Sequence, residues 1–329
     1  MYAADLRAVE NARSRIATFV HATPVFTCQT LDRRAGRLLF LKAESLQRGG
    51  AFKARGAHNA ALRLPRRVRE RGLVTHSSGN HAQAVALAAR SLGVPAHVVM
   101  PIDAPAVKRA AVEGYGAIVH PCEPTLEARA RGAEAVLRAT GGSFIPPYDH
   151  PDVIAGQGTV ALELAEQVQP LDAVVAPIGG GGQVSGIALA LQERAPRVRV
   201  FAAEPEGADD AARSKATGVR VTSHVPRTCA DGLLTTLGEL TWPVVRDLVE
   251  EVLVVDEDAI ARAMRLLWER AKLVVEPSAA VPLAAVLAPA FRARPGLRRV
   301  AVVLSGGNVD VTIAARLYSQ GGGGSAPAP

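Results

Sequence analysis

Lysine is the residue this chain nearly does without: Lys42, Lys53, Lys108, Lys215 and Lys272 are all it has, and arginine supplies the other basic groups. Arginine cannot form an imine at neutral pH because its guanidinium stays protonated, so any amine chemistry falls on few candidates. Aromatics are scarce too, at 4% of 329 residues, although 48% of the chain is hydrophobic. Alanine, valine and leucine must fill the cores, which suits short parallel strands covered by helices. Cysteine is limited to Cys28, Cys122 and Cys229, in no metal-like spacing, and this points to a reducing, cytoplasmic setting. No apolar run reaches membrane-spanning length and no secretory signal opens the chain, so no membrane partner is expected. The net charge of +7 comes from scattered arginine, with no basic block interleaved with aromatics. That argues only weakly for nucleic acid, and better for attraction of small anionic ligands.

The length favours two domains. From residue 73 a regular alternation is expected: strands 73–76, 96–100, 117–120 and 143–146, with helices 80–91, 104–113 and 125–139 between them. Such alternation implies a parallel sheet wrapped on both faces. The block 72–146 reads as a small inserted α/β domain. Residues 1–71 and 147–319 then form the larger domain. Its expected elements include helices over 5–20, 54–63, 154–168 and 258–270, and strands Asp172–Ala176, Val198–Ala203 and Arg299–Leu304. Residues 204–232 lack periodicity and read as structured loop. The glycine-, serine- and proline-rich residues 320–329 read as a flexible tail.

Four loops carry the chemistry. Gly49-Gly50-Ala51-Phe52-Lys53-Ala54-Arg55-Gly56 holds one lysine among small residues that let backbone approach a ligand, with the Phe52 ring to exclude water. A solvated lysine in a plain turn is the alternative. Gly179-Gly180-Gly181-Gly182, between a buried strand and a helix, frees several N–H groups to point at one anion at a helix N-terminus. Its spacing is neither that of a P-loop nor of a dinucleotide fingerprint, and a phosphate monoester is the natural guest. Thr75-His76-Ser77-Ser78-Gly79-Asn80-His81 leaves a strand and opens a helix; its hydroxyls and amides suit a carboxylate, or else simply cap the helix. Ser305-Gly306-Gly307-Asn308 ends a buried strand, which places Ser305 at the carboxyl edge of a sheet where open α/β folds bind ligands.

In this order the four loops resemble those of the fold-type II pyridoxal-phosphate enzymes, and the serine racemase and serine/threonine dehydratase family within them. The resemblance covers about residues 5–318. It implies two open, twisted, mainly parallel sheets of the tryptophan synthase β-like architecture. Pyridoxal 5′-phosphate is the implied cofactor, with Lys53 as its Schiff-base lysine and Phe52 beside it. Gly179 to Gly182 would hold its phosphate, Asn80 its ring oxygen and Ser305 its pyridine nitrogen. Ser77, Ser78 and His81 fall to the substrate, and Ser78 is the implied proton carrier across the cofactor plane from Lys53. Cys122-Glu123-Pro124, Tyr115 and Arg129 are similar to serine racemases, and Arg129 is placed near the substrate's distal end. Glu204-Pro205-Glu206-Gly207-Ala208-Asp209-Asp210 is also similar. The likeness implies a divalent cation (Mg, Mn or Ca) on Glu204, the Ala208 carbonyl and Asp210, hard oxygen ligands suited to such an ion; an acidic surface loop is the alternative. A homodimer acting on a small amino acid is implied as well.

The function expected first is dehydration of a β-hydroxy amino acid (serine, threonine or 3-hydroxyaspartate) to a 2-oxo acid and ammonia. Racemisation on the same fold is the alternative. A non-enzymatic polyanion-binding protein, whose glycine loops hold only phosphates, is the rival from another class.

Overall fold

In the run Arg299–Leu304, Val300, Val302 and Leu304 enter one core while Ala301 and Val303 enter another. The run Ala173–Pro177 does the same, with Ala173 and Val175 facing one way and Val174 and Ala176 the other. Successive side chains on a strand point to opposite faces, so strands apolar at every position must be covered on both sides. This is the sheet that forms. The computed structural model describes residues 2–315 apart from 105, 311 and 313. The expected tail at 320–329 lies outside the described residues.

The strands are β1 (Val25–Phe26), β2 (Leu38–Ala43), β3 (Leu73–His76), β4 (Ala96–Pro101), β5 (Ile118–Cys122), β6 (Ser143–Phe144), β7 (Ala173–Pro177), β8 (Arg199–Pro205), β9 (Glu251–Val255) and β10 (Arg299–Leu304). Six of them form one sheet in the order β1-β2-β10-β7-β8-β9, all parallel except the short β1. The helices Gln29–Ala35, Glu257–Leu266 and Pro277–Leu287 cover one face; Leu6–Ile16, Pro151–Gln167 and Gly182–Arg194 cover the other. The other four strands pair in parallel in the order β5-β4-β3-β6. There the helix Asn80–Leu92 packs through alanines and Val85 on Leu73, Val98 and Met100, and Ala133 and Val136 of the helix Leu126–Thr140 pack on Val74 and Val99. The α/β class with two mainly parallel sheets is thus as expected.

Topology places the site. The chain returns from the edge strand β9 to insert β10 between β2 and β7. The loops leaving the neighbouring carboxyl ends of β2, β10 and β7 therefore open onto one crevice, where open α/β sheets bind ligands.

Three elements differ from the sequence reading. Residues 204–232 contain the helix Asp210–Thr217, whose first turn is acidic and whose composition has few large apolar side chains to reveal a period. β9 abuts the helix Thr241–Leu248 with no turn residue between them, so its alternation merges with the helical pattern. The helix Gln29–Ala35 has only seven residues, too few to show a repeat.

Beneath the helix Lys53–Arg63 lies a buried charge cluster. Arg55 donates to both Glu44 oxygens at 2.8 Å and to Glu163 at 2.6 and 2.9 Å. Lys42 donates to Glu163 at 2.5 Å and to the Thr23 carbonyl at 2.8 Å. Burial alone would push the Glu44 carboxyl up, but the Arg55 guanidinium holds it below the usual range. Breaking such a buried set by removing one partner costs about 3–5 kcal/mol, so the cluster pins the first turn of the helix that carries Lys53.

Candidate active site

Lys53 opens its helix at the end of a loop that is laced to the segment after β10. Gly49 and Gly50 have φ of 72° and 73°, left-handed values that glycine adopts without strain. A Cβ on Gly50 would lie 2.3 Å from Asn308 Oδ1, so the loop tolerates only hydrogen there. Phe52 N donates to the Ser305 carbonyl at 3.0 Å, and Gly307 N to the Gly50 carbonyl at 2.8 Å. Lys53 Nζ donates to the Pro147 carbonyl at 2.5 Å and stands 5.1 Å from the centre of the Phe52 ring. Burial pushes its amine down to about 8, with the Glu276 carboxylate pulling the other way. An amine with that pKa exists partly as the free base near neutrality.

Asn80 comes from the other sheet and meets this assembly. Its Nδ2 donates to Glu276 Oε1 at 2.8 Å and to Oε2 at 3.0 Å, while its Oδ1 accepts from Asn308 Nδ2 at 2.9 Å. Asn308 also donates to the Gly49 carbonyl at 2.7 Å, which closes a chain from Glu276 through Asn80 to the Lys53 loop. Sequence reasoning missed Glu276. The available signal was a lone carboxylate between the buried Val275 and the Pro277 that opens a helix. Burial, then the charge of Asp231, pushes the Glu276 carboxyl up to about 7.

His81 follows Asn80, and its Nε2 meets the Ile145 carbonyl at 2.8 Å, which fixes that nitrogen as the N–H donor. Burial, then the Lys53 charge, pushes the imidazole down to about 3, so it is neutral at working pH. Ser77 Oγ accepts from Gly79 N at 3.2 Å, a bond local to the turn. Ser78 lies half-buried in the same turn. Arg129, on the helix that covers β3, acts with burial to push the His76 imidazole down, and its buried Nε has no hydrogen-bond partner.

The tetraglycine turn follows β7. A Cβ on Gly180 would sit 2.4 Å from the Tyr148 ring and one on Gly182 2.9 Å from Tyr148 Cβ, so this aromatic packs hard against bare backbone. Gly181 has φ of 85° and heads the helix Gly182–Arg194, whose first turn has no side-chain cap. Thr241 Oγ1 holds the Gly180 carbonyl at 2.8 Å. The amide of Gln183 is buried here with neither polar atom paired. Uncapped amides and orphaned polar atoms at a helix N-terminus suit an anion. Ser305, buried at the end of β10, completes the crevice.

Glu204, Ala208 and Asp210 lie together at the carboxyl end of β8. Glu204 accepts from Ala211 N at 3.2 Å and Ala212 N at 2.7 Å, and Asp210 accepts from Leu237 N at 3.2 Å. Burial pushes the Glu204 carboxyl up to about 8, and Asp210 adds to that push. Among the described residues no three histidine, cysteine or carboxylate side chains gather as a metal centre. Two neighbouring buried carboxylates whose charge is disfavoured by burial do, however, fit a hard cation.

A half-buried lysine and a glycine turn at an uncapped helix N-terminus thus accompany the crevice. Residues 16–306 match the model of the pyridoxal-phosphate dependent enzyme family, and the chain belongs to that family, with the fold-type II architecture. It is 50% identical to a serine racemase of Arabidopsis thaliana over 313 residues, 94% of this chain and 95% of that one. A β-hydroxyaspartate dehydratase of Paracoccus denitrificans is 47% identical, with 91% of this chain and 95% of the relative covered. The solved structure of maize serine racemase superposes with a TM-score of 0.94 at 46% identity, over 97% of this chain and 98% of the other. No described helix is long and apolar enough to cross a membrane.

Proposed function

We propose that this chain is a pyridoxal-phosphate-dependent amino-acid racemase of the serine-racemase kind, with water elimination from β-hydroxy amino acids as an accompanying reaction. Sequence reasoning put dehydration first. The racemase alternative is better supported, since a relative that shares half of all positions over nearly the whole chain is a serine racemase. The structural observation that carries the reading is Lys53, a half-buried amine whose Nζ donates to the Pro147 carbonyl and stands beside the Phe52 ring, with burial pushing its pKa down to about 8.

When bound, pyridoxal phosphate supplies an electron sink for the charge left at Cα. The protein does the rest. Lys53 would anchor the cofactor covalently and, once free, would be the base that takes the α-proton; its depressed pKa would keep it competent near neutrality. Gly179 to Gly182 and the uncapped helix behind them would hold the phosphate. Asn80, oriented by Glu276 and Asn308, and Ser305 would hold the ring, and Phe52 would screen Lys53 from water. Ser77, Ser78 and the turn amides hold the substrate carboxylate, with His81 as a neutral wall beside them. Inversion at Cα needs proton carriers on opposite faces, and Ser78 is the second. The same reading has Glu204, Ala208 and Asp210 take a divalent cation, residues 72–146 form a separate small domain, and the chain act as a cytoplasmic homodimer.

A second reading has 3-hydroxyaspartate or aspartate as substrate. It is favoured by the unpartnered Nε of Arg129, since a guanidinium can grip a second carboxylate with two parallel bonds. The test of the main proposal is chemical. Borohydride reduction of the cofactor-loaded protein is expected to fix the cofactor on Lys53, and Lys53→Ala to abolish reaction with both enantiomers of serine. Labelling of Lys42 or Lys272 instead would overturn it.

A further inference from the structure

A second cavity, of about 650 Å³, opens at the carboxyl ends of β8 and β9, next to Glu206 and Val254. Its floor is legible in the helix Glu257–Leu266. Ala259, Arg262, Ala263 and Leu266 stand at i, i+3, i+4 and i+7, and this single helix face lines the cavity. Leu287 of the helix Pro277–Leu287 extends the apolar surface. Val254 is left 45% exposed at its side.

The rim has a different character. Arg33 and Arg34 come from the last turn of the helix Gln29–Ala35, Arg262 from the helix just described and Arg292 from the end of the helix Pro289–Arg292. Two carboxylates, Glu206 and Asp256, also line it, so four positive charges less two negative leave +2. Among the described residues only Arg262 and Asp256 of this rim approach as a pair, at 3.7 Å. Arg34 and Arg292 pair with no carboxylate among the described residues.

We propose that this cavity binds a phosphomonoester carried on an apolar body, at a site separate from Lys53. Charge and shape both match such a ligand. A phosphate dianion neutralises the surplus of +2, and guanidiniums grip its oxygens in pairs. The alanine and leucine floor takes the apolar part, and the volume falls within the ~300–1,000 Å³ usual for small-ligand sites. This inference does not depend on the reaction at Lys53.

The test is calorimetric titration of the cofactor-saturated full chain, so that the glycine turn is already filled, with phenyl phosphate and inorganic phosphate as probes. Phenyl phosphate is expected to bind at one site, at least about tenfold more tightly than inorganic phosphate. Replacing both rim residues, Arg262→Ala with Arg292→Ala, should weaken both probes by about tenfold or more. Ala259→Phe fills the floor and leaves every arginine in place; it should weaken phenyl phosphate and spare inorganic phosphate. The visible cofactor band and thermal midpoint of each variant report on the fold. Equal affinity for the two probes, unchanged affinity in the variants, or no binding at millimolar probe would each overturn the proposal.

Discussion

Glu276 links the stability of this protein to its active site. Its carboxyl is raised by burial from 4.5 to about 7. A folded-state pKa above the unfolded one means that the folded form holds the proton more tightly. The stability this contributes is fully present below about 4.5 and is lost as pH rises through about 7. At about 1.36 kcal/mol for each pH unit, that rise corresponds to about 3 kcal/mol lost by pH 8. Glu276→Gln removes the titration. It also exchanges one of the two oxygens that accept from Asn80 for an NH₂ group, which costs about 1 kcal/mol. We therefore expect the cofactor-free variant to be less stable than the parent at pH 4.5 and more stable at pH 8, by about 2 kcal/mol. Denaturant unfolding at both pH values measures this. The same substitution removes the charge that holds the Lys53 pKa up, so the acidic limb of the activity profile should move to lower pH. A stability difference of one sign at both pH values would refute the reasoning.

Two further outcomes follow from the site. Arg129→Ala should cut kcat/KM about 10- to 100-fold for 3-hydroxyaspartate or aspartate and leave serine nearly unchanged, because only the former present a second carboxylate; uniform loss across substrates would make Arg129 structural. Chelation should lower the thermal midpoint of the parent by about 5–10 °C, from roughly 3 kcal/mol of cation binding at a hundredfold excess over Kd. Asp210→Ala should respond far less, and an equal response in both proteins would remove the cation from this account.

Much of this architecture is readable along the chain. The strands β3, β7, β8 and β10 declare themselves as short apolar runs between glycine- or helix-rich segments, since a doubly covered strand has no polar face to blur it. The loops at Lys53, Gly179 to Gly182 and Ser305 announce themselves because glycines in series are needed where backbone must approach closely. Glu276 escapes because its importance lies in a bond to Asn80, 196 residues away, and no local pattern encodes that distance. β9 escapes for a different reason: an edge strand with one exposed valine, following a helix directly, has neither a clean period nor a boundary. The buried Arg55 cluster is equally silent in sequence, because Glu44 and Glu163 look like ordinary surface carboxylates until the helices pack.

The central claim is inversion at Cα, with Lys53 and Ser78 on opposite faces. The most direct measurement is incubation of the cofactor-loaded protein with L-serine in D₂O, following deuterium at Cα, D-serine and 2-oxo acid together. The account predicts D-serine carrying deuterium at Cα, with a smaller yield of 2-oxo acid and ammonia. It further predicts that Ser78→Ala suppresses D-serine formation and keeps much of the elimination from L-serine. Release of 2-oxo acid with no deuterated D-serine, or parallel loss of both products in Ser78→Ala, would contradict it.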